Sequence, residues 1–290
     1  MRFSVIVPTR NSAATLQMTL SSLRQQIYPP YELIIADGRS TDATRAIAAE
    51  FGAQIVDNLV IHAAGGRNRG AAVATGDWLA FTDSDCQLPP NWLDTAYKLV
   101  QADSALIALA GPLRALPPLN EIEKVAGDAL LSGVLQFPTE RLHLFERSLR
   151  GAFITANVFY RRDIFSVLGG FDERFANYAE DIDLFWRAIA VNPGLLLYEP
   201  QLYVEHRFPT TVCQLFWKWY QYGIASCHLQ RRHLGRLRLD RAHYRRLAAA
   251  FADLATQPDK RPTNTARLAQ IVGHLLGKYC GSALLGVVNL

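Results

Sequence analysis

The stretch Trp78-Leu-Ala-Phe-Thr-Asp-Ser-Asp85 is an apolar run that ends in two acidic residues. The run has the length and composition of a buried strand, and Leu88-Pro89-Pro90 prevents the strand from continuing. Side chains two positions apart on an extended segment point to the same side, so Asp83 and Asp85 can face one ligand. Two carboxylates presented in this way suit a hard divalent cation that carries a diphosphate. The stretch therefore predicts a strand whose carboxyl end forms a ligand site.

A second acidic cluster, Glu180-Asp-Ile-Asp183, follows about a hundred residues later. Acidic residues at a helix N-terminus complement the helix dipole, which alone would explain one of them. Three such residues cannot all act as caps, and each added charge repels the others. We expect Asp181 to act as a base, while Asp183 either supports the helix start or orients the hydroxyl groups of an acceptor. Together the two clusters suggest metal-assisted transfer of a sugar from a nucleotide diphosphate.

Short apolar runs alternate with helical periodicity through the first 110 residues. Buried strands are predicted at residues 3–7, 33–36, 54–56, 78–82 and 106–110, and helices at residues 16–27, 42–51, 67–75 and 92–100. This alternation is typical of an α/β fold with a mostly parallel sheet covered by helices. Such sheets bind ligands beyond the carboxyl ends of their strands, where Thr9, Asp37 and Asp83 all fall. Gly65-Gly66 is expected to open the helix at residue 67, which would let Arg67 and, less directly, Arg69 face a phosphate at the helix start.

The regular alternation ends after residue 110. Helices are predicted at residues 120–136, 141–149 and 181–190, a β-rich segment at residues 153–160, and short strands at residues 195–198 and 202–204. His206 follows the last of these strands. From residue 211 the pattern is helical, with a linker at residues 258–262 before the last helix. Ala269, Gly273, Gly277 and Gly281 recur every four residues, a spacing that lets helices approach closely.

The composition is that of a folded globular protein, since half of the residues are hydrophobic and 19% are charged. The cysteines are scattered without a Cys-x-x-Cys pair, which argues against a disulfide framework or a structural zinc site and favours a cytoplasmic location. Residues 268–290 are the best candidate for a membrane span, but His274 and Lys278 interrupt them. Seven arginines between residues 231 and 246 form either a solvated helix face or a surface for anionic lipid, a phosphorylated acceptor or nucleic acid. Of these partners, anionic lipid would correspond to a peripheral contact with the inner face of the plasma membrane.

Several motifs, taken in order, resemble the family 2 glycosyltransferases with the GT-A fold. They are Ser4-Val-Ile-Val-Pro-Thr-Arg-Asn11, Ala36-Asp-Gly-Arg-Ser-Thr-Asp42, Gly66-Arg-Asn-Arg-Gly70, Thr75-Gly-Asp-Trp-Leu-Ala-Phe-Thr-Asp-Ser-Asp85, Gly169-Gly-Phe-Asp-Glu173, Glu180-Asp-Ile-Asp-Leu184 with Arg187, and His206. The resemblance implies an inverting transferase that uses a nucleotide-diphospho-sugar and a divalent metal. It also implies a GT-A domain with a Rossmann-like sheet at residues 1–210, followed by a helical C-terminal extension at residues 211–290.

The same resemblance assigns roles to individual residues. The nucleotide would be held by Pro8, Thr9, Arg10, Asp37, Arg67, Asp83 and Ser84, with Asp37 on the base edge and Arg67 on the diphosphate side. Asp85 and His206 would ligate the metal, which is Mn²⁺ or Mg²⁺. Asp181 matches the general base, Glu180 lies beside it, and Asp183 would contact the acceptor. Ala36 departs from the pattern, because relatives often carry an aspartate there.

Partners and competing functions follow from these motifs. UDP is the expected nucleotide, and the expected acceptor is a hydroxyl group of a glycan, a lipid-linked saccharide or a small molecule, as in the biosynthesis of a polysaccharide or glycolipid. No nucleic acid is expected, and a homodimer contact is left open. A sugar nucleotidyltransferase is a second hypothesis, although Pro8-Thr-Arg-Asn11 replaces the glycine-rich loop that such enzymes usually carry. A non-catalytic nucleotide-sugar-binding protein is a third.

Overall fold

The computed structural model describes residues 1–134, 140–144, 153–176, 178–234 and 261–284, together with residues 253 and 256. The chain divides into two compact units. Unit 1 comprises Met1–Leu116, Leu135–Ala176 and Glu180–His206. Unit 2 comprises Pro117–Val134, Asn177–Ala179 and Arg207–Leu290.

Unit 1 is built on a large twisted sheet with mostly parallel strands. Its strands are β1 (Phe3–Thr9), β2 (Glu32–Asp37), β3 (Gln54–Asp57), β4 (Trp78–Phe81), β6 (Ala108–Ala110), β8 (Leu142–Leu144), β9 (Val158–Arg161) and β10 (Leu196–Tyr198). Within the described residues the strand order is β3-β2-β1-β4-β9-β6-β10-β8. β1, β2, β3 and β4 run parallel, whereas β9 runs antiparallel to β4 and β6. The predicted α/β class and the first strands are therefore confirmed, because buried parallel strands read as continuous apolar runs.

A second, three-stranded sheet in unit 1 joins segments that are far apart in sequence. It consists of β5 (Cys86–Gln87), β11 (Val204–His206) and β7 (Leu113–Ala115), in the order β5-β11-β7. β11 pairs antiparallel to β5, so that His206 lies opposite Cys86. The strand predicted at residues 202–204 therefore lies two residues further along the chain, and His206 is its last residue instead of following it.

The helices of unit 1 pack on the faces of the large sheet. They are α1 (Ala13–Arg24), α2 (Thr44–Glu50), α3 (Ala63–Val73), α4 (Trp92–Ala102), α6 (Arg162–Val167) and α7 (Glu180–Val191). α1 ends before Ile27, which is 68% exposed, so this residue was wrongly assigned to the helix. α3 begins four residues earlier than predicted, because the Nδ1 atom of His62 accepts a hydrogen bond from the Gly65 backbone N–H and caps the helix.

Glycine lets α3 lie directly on the central strands. A Cβ atom on Gly70 would come within 2.4 Å of the Ile6 Cγ2 atom, and one on Gly66 within 3.2 Å of the Pro8 side chain. A Cβ atom on Gly66 would also lie only 3.6 Å from the Ala36 Cβ. The small side chain of Ala36 therefore lies at ordinary contact distance from the surface that Gly66 presents.

The prediction of a helix at residues 141–149 was wrong over the described part of that segment. Leu142–Leu144 form β8, which pairs antiparallel with β10, and residues 145–149 lie outside the described residues. The sequence reading counted helical periodicity but had no signal for a strand partner more than fifty residues away. Edge strands of this length depend on such tertiary pairing more than on their own propensity.

Unit 2 is helical. It contains α5 (Glu121–Asp128), a π-helical turn at Ala129–Val134, α8 (Val212–Leu234) and α9 (Arg261–Leu284). Cβ atoms on Gly273 and Gly277 would clash with the backbone oxygens of Phe216 and Tyr220, so the four-residue glycine spacing lets α9 lie directly against α8 of the same unit. Arg261 and Pro262 open α9 instead of forming a linker, and residues 257–260 and 235–246 lie outside the described residues. No helix in the described part of the chain is long and apolar enough to cross a membrane.

Candidate functional site at the carboxyl ends of the strands

The carboxylate of Asp37, at the end of β2, is completely buried and is held by four donors. The Ser40 backbone N–H and hydroxyl donate to it at 3.1 and 2.6 Å, and the Thr9 hydroxyl donates at 3.2 Å. The Arg45 Nη1 atom lies 3.2 Å from Oδ2 of the same carboxylate and 2.8 Å from Asp57. Asp37 therefore fixes the loop after β2 against the end of β1.

The loops after β1 and β4 are joined by a hydrogen bond between two serine side chains. The Ser84 hydroxyl donates to the Ser12 hydroxyl at 2.9 Å. Pro8 is half-buried and Arg10 is exposed, so the Arg10 side chain is open to solvent next to Thr9. The sequence reading assigned no role to Ser12 or Ser40, which lie in the loops after β1 and β2, or to Arg45, which lies in the first turn of α2.

Arg67 connects the two acidic clusters that the sequence singled out. Its Nη2 atom donates to the Asp83 Oδ1 atom at 2.6 Å, and its Nη1 atom donates to the Glu180 Oε1 atom at 2.7 Å. The arginine is only 3% exposed and lies in the second turn of α3, so it is not at a helix start as predicted. A buried guanidinium with two carboxylate partners is a strong, geometrically fixed contact. It ties the end of β4 to the start of α7.

Asp85 and His206 lie next to each other, and His206 is also close to Asp83, the partner of Arg67. The Asp85 Oδ1 atom is 3.4 Å from the His206 Nε2 atom, which in turn is 3.9 Å from Asp83 Oδ2. The Cys86 Sγ atom completes a group of three potential ligands whose donor atoms all lie within 4.8 Å of one another. A carboxylate oxygen and an imidazole nitrogen at this separation fit the coordination sphere of a divalent cation.

Asp181 and Asp183, both in the first turn of α7, have different environments. Asp181 is half-buried and accepts hydrogen bonds from the backbone N–H groups of Ile182 at 2.8 Å and Thr155 at 3.4 Å. Asp183 is completely buried and is paired with Arg187, whose Nε atom donates to it at 2.8 Å. Of the two roles that the sequence left open for Asp183, this burial favours support of the helix over contact with an acceptor.

Arg187 and Asn68 together hold the turn that contains Gly169-Gly-Phe-Asp-Glu173. Arg187 donates to the Gly170 carbonyl at 2.8 Å and also to the Leu168 carbonyl. Asn68 donates to the Phe171 carbonyl at 2.8 Å and accepts from the Phe171 N–H at 2.9 Å. Gly170 has a φ of +65°, and a Cβ there would lie 2.8 Å from the Asn68 side chain. Three of the family-like motifs therefore form one support for the start of α7.

Burial and like charges change the proton affinity of the acidic groups around Arg67. Burial, with Asp181 and Asp83 nearby, raises the pKa of Glu180 to about 8 despite the Arg67 guanidinium, which acts in the opposite direction. Burial also raises the pKa of Asp181, while its backbone hydrogen bonds and Arg67 lower it. Burial raises the pKa of the Cys86 thiol well above its ordinary value, and Asp85 and Asp83 add to this effect. Perturbed carboxyl groups around one fixed cation are typical of functional sites.

Comparison with known proteins agrees with the motifs. The family model described as Glycosyl transferase family 2 matches residues 4–169, more than half of the chain. A PGL/p-HBAD biosynthesis glycosyltransferase from Mycobacterium bovis is 32% identical over 205 residues, which cover 67% of this chain and 72% of that protein. A pre-mycofactocin glycosyltransferase from Mycobacterium tuberculosis is 28% identical over 236 residues, 79% of this chain and 48% of that protein.

Solved structures of glycosyltransferases share the architecture. Glucosyl-3-phosphoglycerate synthase from Mycobacterium tuberculosis, in complex with Mn²⁺, UDP-glucose and phosphoglyceric acid, has a TM-score of 0.58 and 19% identity over 80% of this chain and 79% of that chain. A mannosyltransferase from Pyrobaculum calidifontis, in complex with GDP-Man and Mn²⁺, has a TM-score of 0.57 and 17% identity, covering 100% of this chain and 76% of that chain. The fold is thus GT-A, and the chain is a glycosyltransferase that belongs to glycosyl transferase family 2.

Proposed function

We propose that the protein is an inverting, metal-dependent glycosyltransferase that moves a sugar from a nucleotide-diphospho-sugar to an acceptor hydroxyl group, with Asp181 as the general base. One observation carries the proposal. Arg67 bonds Asp83 at 2.6 Å and Glu180 at 2.7 Å, so acidic groups from distant parts of unit 1 meet around one buried cation. A site for donor and metal at the end of β4 and a site for a base at the start of α7 are then adjacent.

The donor's nucleoside would occupy the carboxyl ends of β1 and β2. Thr9 and Asp37 form the floor of this region, and the exposed Arg10 side chain and half-buried Pro8 flank it. Because Asp37 is already held by four donors, we assign it to shaping the pocket that receives the base edge. Ser84 and the ribose would meet at the loop after β4, where Asp83 is 27% exposed at its side chain.

A divalent metal would be held by Asp85 and His206, whose Oδ1 and Nε2 atoms are 3.4 Å apart. The oxygen donor suits Mg²⁺ or Mn²⁺, and the imidazole favours Mn²⁺. When bound, such an ion neutralises the charge that develops on the diphosphate leaving group. Two solved neighbours carry Mn²⁺ in their complexes, which supports a metal here.

Asp181 has the properties that the transfer requires of a base. Its two backbone hydrogen bonds fix its direction, while its side chain remains partly exposed and can be reached by an acceptor hydroxyl. Burial raises its pKa toward the working pH, which strengthens a carboxylate as a proton acceptor. The hydroxyl oxygen then attacks the anomeric carbon as the bond to the diphosphate breaks. A single displacement of this kind inverts the anomeric centre and needs no protein nucleophile.

Glu180 and Arg67 support this step. Arg67 stays charged because, although burial lowers its pKa, the nearby acidic groups of Asp83, Glu180 and Asp181 raise it by more. Its positive charge also lowers the pKa of Asp181, so Arg67 interacts electrostatically with both the base and the donor site. The buried Glu180 thus positions Arg67, and Asp183 with Arg187 holds the turn at Gly170.

The donor and acceptor are proposed by class. A nucleoside diphosphate, with UDP the first to be tested, fits the relatives that bind UDP-glucose or GDP-Man. The acceptor is a hydroxyl group of a glycan, a lipid-linked saccharide or a small molecule. The relatives named for PGL/p-HBAD and mycofactocin biosynthesis are consistent with a glycoside of a lipid or small molecule.

A donor-hydrolysis screen tests the proposal without a known acceptor. The purified full chain is incubated with UDP-, GDP- and dTDP-sugars and Mn²⁺, and release of the nucleoside diphosphate is measured. We expect slow hydrolysis of one nucleotide class, its loss with a chelator, and its recovery when Mn²⁺ or Mg²⁺ is added. Hydrolysis that survives chelation would contradict the metal assignment, and no donor binding by calorimetry with any nucleotide would contradict the proposed substrate class.

A further inference from the structure

Cys86 lies beside the proposed metal ligands and was not among the residues that the sequence singled out. It is fully buried and occupies the two-residue strand β5, directly opposite His206 of β11. Its Sγ atom, an Asp85 oxygen and a His206 nitrogen all lie within 4.8 Å of one another. The three side chains therefore offer a metal ion one oxygen, one nitrogen and one sulfur ligand atom.

The backbone fixes this arrangement. Residues that lie opposite each other in an antiparallel pair carry their side chains on the same face of the sheet, so Cys86 and His206 are neighbours by register. β11 is also held on its other side, where Glu205 pairs with Arg114 and His206 with Ala115 of β7. Two of the three donors are therefore carried by strands, which position side chains more accurately than loops do.

The spacing fits a tetrahedral ion. With bonds of ~2.0 Å to nitrogen and oxygen and ~2.3 Å to sulfur, ligand atoms around zinc stand roughly 3.5 Å apart. The Asp85 Oδ1 and His206 Nε2 atoms already have a separation of 3.4 Å. The sulfur atom lies within 4.8 Å of both neighbouring donors, so a side-chain shift of roughly 1–1.5 Å brings it to this spacing and leaves the fourth position open for water or a phosphate oxygen.

We propose that Cys86 is a third ligand of this site, so that the site binds thiophilic divalent cations, Zn²⁺ above all, more tightly than Mn²⁺. Thiolate ligands select zinc-like ions, whereas carboxylates and water suit Mn²⁺ and Mg²⁺. On binding, the metal–sulfur bond replaces the S–H bond, the proton passes to water, and no group is oxidised or reduced. A consequence that rests on the proposed function is that Zn²⁺ bound in this way takes the place of the Mn²⁺ or Mg²⁺ ion that activates the donor. Zn²⁺ therefore inhibits transfer.

Cobalt substitution tests the sulfur ligand directly. One equivalent of Co²⁺ is added to the full chain, and the absorption spectrum is recorded for wild type, Cys86→Ser and the control Cys213→Ser, in which an exposed cysteine is removed. We expect a thiolate-to-cobalt charge-transfer band in wild type and in Cys213→Ser, and its loss in Cys86→Ser. Zn²⁺ affinity, from competition with a chelating dye, should fall roughly tenfold or more in Cys86→Ser, and Mn²⁺ affinity should fall much less.

X-ray absorption of the zinc-loaded Cys213→Ser protein provides a test that does not depend on the folding of a Cys86 variant. A single sulfur scatterer at ~2.3 Å from zinc is expected. A shell of oxygen and nitrogen alone, or a cobalt band that remains in Cys86→Ser, would overturn the proposal.

These outcomes separate the inference from the proposed function. A cobalt–sulfur band in a protein that hydrolyses no donor would support the cysteine ligand and count against the glycosyl transfer from a nucleotide diphosphate. Mn²⁺-dependent hydrolysis without any cobalt–sulfur band, and with equal Zn²⁺ inhibition in wild type and Cys86→Ser, would do the opposite.

Discussion

Asp37 and Glu180 are two buried carboxyl groups of unit 1 with opposite degrees of satisfaction. Asp37 accepts from four donors, which belong to Thr9, Ser40 and Arg45. Glu180 accepts a side-chain hydrogen bond from Arg67 through Oε1, while its buried Oε2 atom has no hydrogen-bond partner among the described residues. The Asp37 carboxylate stabilises the loop after β2, whereas burial of the incompletely hydrogen-bonded Glu180 carboxyl group destabilises the folded state.

The difference in hydrogen bonding between these two carboxyl groups distinguishes a region that stabilises the fold from a region that has the properties of a reactive site. Saturated buried carboxylates stabilise structure, whereas an incompletely bonded one is a source of strain that needs an explanation. Around Arg67 the explanation is the concentration of acids, because Asp83, Glu180 and Asp181 all act on one guanidinium. We therefore expect substitutions near α7 to affect turnover and substitutions near Asp37 to affect folding and donor binding.

The largest expected effect is that of Asp181→Asn. The amide cannot accept the acceptor's proton, so turnover should fall by about 10²–10⁴-fold while donor affinity stays nearly unchanged. The measurement is steady-state transfer or donor hydrolysis, together with calorimetric titration of the nucleotide-sugar. Asp163→Asn is the matched control, since Asp163 is an exposed acidic residue in the first turn of α6. Equal turnover in both variants would remove Asp181 from the role of base.

Arg67→Met should have the next largest effect. It removes the buried cation from Asp83 and the side-chain donor from Glu180, which is expected to lower the free energy of unfolding by about 3–5 kcal/mol and to reduce transfer. Urea unfolding measures the first effect, with the exposed Arg69→Met as control. If the bridge matters, the double variant Arg67→Met/Glu180→Gln recovers part of the loss, with a coupling of roughly 0.5–3 kcal/mol. Strict additivity would contradict the bridge.

The strands and their ends could be predicted from the sequence because the signal, a short apolar run closed by polar or turn residues, is contained within each segment. The apolar runs that end at Thr9, Asp37 and Phe81 are confirmed within one or two residues, since buried parallel strands need apolar side chains on both faces. The start of α3 was wrong because His62 is an uncommon cap and Gly65-Gly66 resembles an opening turn. β8 was missed because its pairing with β10 is set by the tertiary fold.

The candidate site was partly predictable for a related reason. Acidic residues at strand ends converge by topology, which pointed to Asp83 and Asp85 without any structure. The Arg67–Glu180 contact spans 113 positions in sequence, and no local pattern encodes it. Cys86 escaped notice because a two-residue strand opposite His206 has no periodicity to read. The roles assigned to these residues stay predictions.

Glu180→Gln sharpens the comparison through pH. The pKa of Glu180 rises from its ordinary 4.5 to about 8 on folding, so between these values the folded state holds a proton that the unfolded chain has released. The stability of the wild type that depends on this group is therefore present below about pH 4.5 and is lost as the pH rises toward 8. Gln resembles the protonated form, so this variant should match wild type near pH 5 and exceed it at pH 8 by on the order of a few kcal/mol.

The measurement for this variant is urea unfolding at several pH values, with Glu121→Gln, an exposed first-turn residue of α5, as control. Asp181 contributes a similar slope to both proteins, because burial raises its pKa too. A difference between wild type and Glu180→Gln that does not change with pH would mean that Arg67 keeps Glu180 ionised throughout this range.

Asp37→Asn is expected to have the smallest effect. Unlike the variants near α7, it should change folding stability and donor binding more than turnover. The new amide turns an N–H group toward Ser40 or Arg45, which are themselves donors, so the free energy of unfolding should fall by about 1–3 kcal/mol. Because the loop after β2 would loosen, the donor KM should rise while kcat changes little. Asp57→Asn is a close control, since Asp57 ends the neighbouring strand, pairs with the same Arg45 and is exposed. That change should cost less than about 1 kcal/mol. A large loss of kcat in Asp37→Asn would erase the distinction between the two acidic regions, because it would make the saturated carboxylate part of the reacting site.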